Sequence, residues 1–447
     1  MIVDGIIKKC LREGQYFKKM LSFLNDSKYY SYNELENYQN ERLKKIIEHS
    51  YKNVPYYNRV FNSIKLKPED IKSKEDLWKI PVLTKNDVKK NFNDLKAKNI
   101  PKLFMNIGKT SGTTGTPAQF YRDLYSINFE NAIVWRQWLS SGVKRNSKIA
   151  IIRGNNIIPN NQLLPPFWKI DKIQKHIEFS SFHMSEENLE HYINKIKEYS
   201  PEALQSYPST AYILAKKLDK LNEQINLKSV FTSSEPIYSY QRELIEKVFG
   251  CKIWDYYGMA ERVISATECS AHNGLHINEE YGITEFISNN VISPKEGIMV
   301  GTSLQNFGMP LIRYVTNDYG KLQENLCTCG MQHRLIYPIE TKEEDMIITK
   351  DGRWISPSII THAFKAIVNV SKSQVVQHDY DKFEVLLVPE VGFSKNEKLK
   401  LLEGLKERFG NSSSITINLV DDIPRTKNGK FRWIISHVDG EYTNEGS

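Results

Sequence analysis

Ser229-Val230-Phe231-Thr232-Ser233 is a short, largely apolar run with the look of a buried strand. Past Ser234-Glu235-Pro236, residues 238–249 read as an amphipathic helix, and Gly250 stands where a helix closes in the left-handed conformation. Lys252-Ile253-Trp254-Asp255-Tyr256 then returns to a strand pattern. Strand, helix and strand in that order make a βαβ crossover, so the two strands are predicted to be parallel neighbours whose following loops open on one sheet edge. Open α/β sheets bind ligands at that edge. Ser234 and Glu235 after the first strand, and Tyr257, Gly258, Met259, Ala260 and Glu261 after the second, are therefore site candidates by position, and Tyr256, the last residue of that strand, is a further cofactor-binding candidate.

Outward from this unit, residues 100–340 keep the same texture of short β-branched runs alternating with helices, which predicts an α/β sheet. Residues 1–100 are rich in Lys, Glu, Asn and Leu, with helical periodicity at 35–51 and a turn at Pro55-Tyr56-Tyr57. A third pattern begins near 342. It comprises a hairpin at 346–355 turning on Asp351-Gly352, helices at 358–368 and 396–409, and strands at 374–377, 383–388 and 415–420. Two helices on a three- or four-stranded sheet suffice for a small α+β domain. The expected organisation is a large N-terminal domain of mixed sheets and helices, 1–341, and a small C-terminal domain, 342–447.

Composition limits the function. The chain has 447 residues, 40% of them hydrophobic and 26% charged, which excludes a collagenous or disordered protein. Its net charge of +8, from 61 basic and 53 acidic side chains, is too diffuse for a nucleic-acid binder and suits an enzyme that handles anions. Five cysteines cannot staple so long a chain, so a reducing, cytoplasmic setting is expected. No apolar run approaches the roughly 18 residues of a spanning helix. Ile2, Ile6, Ile7, Cys10 and Leu11 recur at helical spacing beside Lys8, Lys9 and Arg12, predicting an amphipathic helix packed on the protein or a partner, with membrane-surface contact as the alternative. The oligomeric state is open, and a homodimer is compatible with the sequence.

Thr110-Ser111-Gly112-Thr113-Thr114-Gly115-Thr116-Pro117 is the segment richest in chemistry. Its hydroxyls and closely approachable backbone N–H groups suit a polyphosphate. A flexible linker would not need so many threonines, whose branched Cβ stiffens the chain. The segment is no Walker loop, because GxxxxGK[ST] is absent and Ala118 to Arg122 alternates like a strand.

That segment resembles the phosphate-binding signature of the adenylate-forming superfamily, which includes acyl-CoA synthetases, luciferases and adenylation domains. Tyr257-Gly258-Met259-Ala260-Glu261 resembles its YGxxE motif, implying an aromatic ring on adenine and a Glu261 that helps hold magnesium beside the triphosphate. Arg313-Tyr314-Val315-Thr316-Asn317-Asp318 resembles the ribose motif, implying a nucleotide-binding Arg313 and an Asp318 that accepts from the ribose hydroxyls. The segment 424–432 resembles the PRTxxGKxxR motif, implying that Lys430 reaches into the site during adenylation. Asn53-Val54-Pro55-Tyr56-Tyr57, the run 77–85, Glu268-Cys269 and Gly274-Leu275-His276-Ile277 resemble the phenylacetate-CoA ligase branch and its capsule-biosynthesis, CapK-like relatives. The same resemblance places Tyr207, Pro208, Ser209, Trp135 and Trp138 near the acid, although aromatic residues at helical spacing are more often core.

The resemblance implies ATP-dependent activation of a small-molecule carboxylic acid as an acyl-adenylate, followed by transfer to coenzyme A. Its alternatives are transfer to an amine or hydroxyl of a surface-glycan precursor, or nucleotide binding without turnover. Two positions depart from the family pattern. Thr341-Lys342-Glu343-Glu344-Asp345 replaces the usual Gly-Arg-x-x-Asp hinge run, and Ala118 follows Pro117 where many members carry Lys. Lys342 keeps the charge but not the bidentate fork of an arginine.

Cys327 and Cys329, with Cys269 and a histidine from His272, His276 or His333, form a candidate structural zinc set. The spacing alone does not choose the histidine. The competing reading is buried free thiols.

Overall fold

The computed structural model describes residues 10–109, 118–159, 161–288, 291–339, 346–355, 357–423 and 432–438. The amphipathic stretch expected at the amino terminus begins outside this set. Contacts divide the chain into two compact units, each discontinuous in sequence: Met1–Lys109, Gln119–Arg145 and Trp254–Glu340 form the first, and Thr110–Ala118, Asn146–Ile253 and Thr341–Ser447 the second.

In the first unit the expected helical entry region is present as Phe17–Ser27, Tyr32–Asn53 and Pro55–Ser63. The long helix starts where Ser31 and Glu34 exchange bonds, the Glu34 N–H donating to Ser31 Oγ at 3.3 Å and the Ser31 N–H to Glu34 Oε2 at 2.8 Å. Leu35, Leu43, Ile46 and Ile47 line its buried face, and Pro55 opens the next helix at a position that needs no N–H. Helix Leu124–Ser140 is capped by Asp123, which accepts from the Ser126 N–H at 2.7 Å.

Strands Met105–Lys109 and Gln119–Asp123 form an antiparallel hairpin whose last pair is Lys109 with Gln119. A four-stranded antiparallel sheet runs in the order Val291–Ser293, Gly282–Ser288, Glu296–Ser303, Tyr314–Lys321. Strand Ser265–Glu268 pairs antiparallel with the end of Lys252–Gly258 on one side and with Leu275–Ile277 on the other.

A charged cluster lies inside this unit. Arg136 donates to Glu280 at 2.7 Å, to Asn278 Oδ1 at 2.6 Å and to the Leu24 carbonyl at 3.1 Å, and Ser27 Oγ donates to Glu280 at 2.5 Å. The Arg136 and Glu280 side chains are 4% and 0% exposed, so the pair ties two helices to the loop after Leu275–Ile277 with no help from water.

In the second unit, Ser229–Ser233, Ala203–Ser206, Ile149–Arg153 and His176–Ser180 lie side by side and all parallel, with Trp168–Asp171 antiparallel at the edge. The deciding stretch folds as its pattern predicts. Helix Ser239–Phe249 follows the first strand, and Gly250 closes it at φ +59°. Ile245, Val248 and Phe249 share a core with Val230 and Ile253 from the flanking strands.

The carboxy-terminal part of this unit also matches its pattern. Hairpin Ile347–Ile348 with Trp354–Ile355 turns through Gly352 at φ +72°. The sheet order is Ser414–Leu419, Lys382–Pro389, Val370–Asp379, Ile434–Ser436. The helix expected over 358–368 ends earlier, as Pro357–Phe364, because the Val368 and Asn369 N–H groups donate to the Glu397 carboxylate at 2.9 and 3.2 Å. Phe182 and Tyr207 join Ile355, Ile359 and Phe364 in one apolar cluster.

Candidate active site

Tyr314, Thr316 and Asp318 centre the first unit's site on strand Tyr314–Lys321, where a register shift between Val315 and Tyr319 interrupts regular pairing with Glu296–Ser303. The Tyr257 hydroxyl donates to Asp318 Oδ2 at 2.7 Å, and the Tyr314 hydroxyl donates to Glu261 Oε1 at 3.0 Å. Thr316 Oγ1 donates to the Met299 carbonyl at 2.8 Å and accepts from the Asp318 N–H at 3.1 Å, which fixes the backbone under Asp318.

Both carboxyl groups are raised above the usual carboxylate range. Burial is the main cause at Asp318, where the Tyr257 hydrogen bond partly opposes it, and at Glu261, where hydrogen bonds from its own backbone and from Tyr314 oppose it. Two desolvated carboxylates, each braced by one phenol, keep lone pairs for further donors or for a hard cation.

Tyr256 points to the other face of its strand. Its hydroxyl accepts from Ser265 Oγ at 3.3 Å, and its ring covers Gly258 so closely that a Cβ there would stand 2.4 Å from Cε1. Tyr257, Glu261 and Asp318 are thus brought together through Tyr314, and Tyr256 is not.

Arg313 is 6% exposed and lies at φ +52°. Its guanidinium donates to Glu285 Oε2 at 3.0 Å and to the carbonyls of Ile80 and Trp78 at 2.7 and 3.3 Å, while the Leu83 N–H donates to its own carbonyl at 2.9 Å. These bonds fasten the 77–85 run to the strand that carries Asp318. Tyr314 was not singled out from sequence, although its place in the motif was a usable signal.

The second unit supplies strand-end loops on one edge of its parallel sheet. Ser234 lies at φ +74°. Arg153, at the end of its strand, donates from Nη2 to Ser233 Oγ at 2.9 Å and to Ser234 Oγ at 3.1 Å, and its guanidinium stands 5.1 Å over the Tyr207 ring. Glu235 Oε2 accepts from the Ser209 N–H at 3.1 Å, at the first turn of helix Pro208–Lys220. Glu235 Oε1 and Ser209 Oγ are buried without a hydrogen-bond partner among the described residues. Arg153 was missed from sequence, and its signal was its place at the same strand edge as Ser234.

The hydroxyl-rich run Thr110, Ser111, Gly112, Thr113, Thr114, Gly115 and the tail residue Lys430 lie outside the described residues. Their flanks are described: Lys109 pairs with Gln119, and Ile423 and Trp433 are core residues. Trp135 and Trp138 are buried against each other, their ring centroids 5.1 Å apart.

Cys269, His276, Cys327 and Cys329 place their donor atoms within 4.8 Å of one another. Cys269 Sγ is 3.5 Å from Cys327 Sγ, and Cys329 Sγ is 3.3 Å from His276 Nε2. His276 Nδ1 meets the His333 carbonyl at 2.9 Å, which leaves Nε2 to face the sulfurs. Burial pushes the Cys269 thiol up to about 12, so ionising these sulfurs calls for a cation among them. Three thiolates and one imidazole fit a closed tetrahedral zinc site. Of the three candidate histidines the fold selects His276. His272 instead lies against Trp254, with Nδ1 3.7 Å from Glu268, and His333 contributes its carbonyl. Zinc near one per chain is expected in the purified protein, with Cys327→Ser losing most of it and melting several degrees lower by calorimetry. A zinc-free wild type of full stability would overturn this assignment.

The mixed α/β chain with its α+β carboxy-terminal portion has the fold of the adenylate-forming enzymes. It superposes on 2-hydroxyisobutyryl-CoA ligase, in the postadenylation state in complex with R3-HIB-AMP, with a TM-score of 0.58 at 19% identity, over 92% of this chain and 91% of that one. In sequence the chain is similar to CapK and to the phenylacetate-coenzyme A ligases. Residues 347–437 match the CapK C-terminal domain family. Protein CapK of Staphylococcus aureus is 27% identical over 413 residues, covering 91% of this chain and 90% of that protein. The phenylacetate-coenzyme A ligase of Thermus thermophilus is 26% identical over 343 residues, covering 74% and 75%.

Proposed function

We propose that the protein activates a carboxylic acid with ATP, forming an acyl-adenylate and releasing pyrophosphate, and passes the acyl group to coenzyme A. The observation that carries this reading is the pairing of Tyr257 with Asp318 and of Tyr314 with Glu261, two braced and half-buried carboxylates from separate motifs. The names of the relatives, phenylacetate-coenzyme A ligase and 2-hydroxyisobutyryl-CoA ligase, support it.

A carboxylate attacking the α-phosphorus brings two anions together, so the site must offer donors and positive charge where charge builds up in the transition state. Asp318 accepts from the two ribose hydroxyls, a vicinal diol that a carboxylate matches. Glu261 offers a hard oxygen ligand to magnesium beside the triphosphate, and magnesium, when bound, spreads the charge of the leaving pyrophosphate. The hydroxyls and backbone N–H groups of 110–115 hold that pyrophosphate, and Ser234 and Glu235 are further nucleotide-binding residues of this reading. Lys430 spans the carboxylate and α-phosphate oxygens. Arg313 acts at one remove, holding the strand of Asp318. Residues 342–447 form the smaller, hinged domain of this scheme, which carries Lys430 in and out.

A second reading keeps the adenylate and transfers the acyl group to an amine or hydroxyl of a surface-glycan precursor. The altered hinge run Thr341-Lys342-Glu343-Glu344-Asp345 and the match to CapK over nine-tenths of both chains favour it. Hydroxylamine trapping with a panel of carboxylic acids, followed by thioester detection with coenzyme A, tests both. Hydroxamate and thioester together support the first reading, and hydroxamate alone the second. ATP binding with no acid-dependent pyrophosphate release would remove both.

A further inference from the structure

Arg122 lies on strand Gln119–Asp123, opposite Asn106 on the partner strand of the hairpin. Asn106 and Gly108 share a face of that strand. The Arg122 guanidinium lies flat across Gly108, so close that a Cβ on the glycine would stand 2.1 Å from Cζ and 2.4 Å from Nε. Gly108 is followed by Lys109, whose pairing with Gln119 closes the hairpin on either side of the hydroxyl-rich segment. The side chain therefore runs along the hairpin towards the root of that segment.

There it donates twice to one acceptor, from Nε at 3.1 Å and from Nη2 at 2.5 Å, the carbonyl of Ala260. Ala260 immediately precedes Glu261. On the other side of Glu261, Arg262 sits at φ +59° and forms an ion pair with Glu130 from helix Leu124–Ser140. Glu261 is thus held at three points: Arg122 on the preceding carbonyl, Tyr314 on its carboxylate and Glu130 on the following side chain. The first links its backbone directly to the hairpin by hydrogen bonds, while Tyr314 meets the hairpin through an edge-on ring contact with Phe120. A guanidinium fork can make both bonds to one carbonyl, whereas an ammonium on this stem would make one. Both bonds go to a neutral oxygen, and among the described residues the carboxylates of Glu130 and Glu261 act on this guanidinium through charge.

We propose that Arg122 is a positioning residue, which fixes Glu261 against the hairpin that frames 110–117, and that Gly108 lacks a side chain so that the guanidinium can cross it. The inference rests on the reading of Glu261 as a magnesium ligand and of the hairpin as the phosphate side. It does not depend on which acid or acceptor is used.

The test compares Arg122→Ala, Arg122→Lys and Gly108→Ala in the full-length protein, by two readouts. The first is the magnesium concentration for half-maximal acid-dependent pyrophosphate release, and the second is Mn2+ affinity in the presence of ATP by electron paramagnetic resonance. Arg122→Ala is expected to raise the magnesium requirement and weaken Mn2+ binding about 10- to 100-fold, the scale of one lost charge-assisted contact. KM for the acid should stay within about twofold. Arg122→Lys should recover part of the loss, and Gly108→Ala should copy it, because the new Cβ displaces the guanidinium. If Arg122→Ala fails to fold, Arg122→Lys and Gly108→Ala carry the test. Unchanged metal dependence in the folded variants, beside an active wild type, overturns the positioning role and leaves the proposed function standing. A wild type that binds no Mn2+ with ATP overturns the reading of the site, and this inference with it.

Discussion

Replacing Lys430 by alanine should slow acyl-adenylate formation about 100- to 1000-fold, the usual loss when one donor to a developing anion is removed. The expectation follows from where charge changes. ATP and the acid are both anionic before reaction, and the cation spanning their oxygens gains most as the new bond forms. Folding should be untouched, since the segment is anchored at its ends. Ile423 and Trp433 are 2% and 1% exposed, Trp433 Nε1 donates to Ser373 Oγ at 3.0 Å, and Gln374 Nε2 donates to the Arg432 carbonyl at 2.7 Å. Single-turnover pyrophosphate release, alongside a thermal melt, measures both halves. A variant within about fivefold of wild type would remove Lys430 from the adenylation step, and a large fall in melting temperature would recast it as structural.

Arg136→Met should cost about 3–5 kcal/mol of folding stability, the range for stranding one member of a buried ion pair. Burial alone would raise the Glu280 carboxyl, but the Arg136 charge outweighs it, with help from His333 and Ser27, and brings it down to about 2. A folded-state value below the unfolded one makes the contribution fully present above about pH 4.5, and it is lost as pH falls towards 2. Without Arg136 the sign reverses. Glu280, desolvated and left with only Ser27 and His333 of the partners named above, is then expected to titrate above its unfolded value, so that the variant loses further stability as pH rises through that range. Urea unfolding between pH 3 and 8 reads both slopes. The double variant Arg136→Met with Glu280→Leu should recover most of the loss, because two apolar groups leave no charge stranded. A single variant that costs under about 1 kcal/mol, with the wild-type pH slope, would mean that water reaches the pair.

The elements that were legible in advance are those set by neighbours in the chain. Ser229–Ser233, the helix to Phe249 and its Gly250 cap follow from burial pattern and backbone preference within a few residues, and so does the hairpin turning at Gly352. The helix ending at Phe364 shows the limit. Its apolar pattern runs on towards Val368, but a carboxylate from Glu397 takes the N–H groups there.

The candidate site divides in the same way. Tyr257, Glu261 and Asp318 were visible because their motifs carry chemistry in residue types and short spacings. The roles of Arg313, Arg153 and Arg122 were not visible, since a long cationic side chain finds its acceptor in space. Arg313 reaches Ile80, and Arg122 reaches Ala260, across 233 and 138 positions of chain. Likewise three histidines were equal by spacing, and only the strand pairing that aims the His276 Nε2 at the sulfurs separates them.

Sequence by itself determined the α/β character, the Gly250 cap, the placement of Ser234, Glu235 and Tyr257 at strand ends and the class of chemistry, because each depends on local periodicity and on functional groups that a few adjacent positions supply. Tertiary structure alone decided which histidine joins the three cysteines, which tyrosine braces which carboxylate and what each buried arginine holds. Those outcomes depend on distances between segments far apart in the chain, where desolvation makes every unpaired charge costly and leaves only the arrangements that pair it.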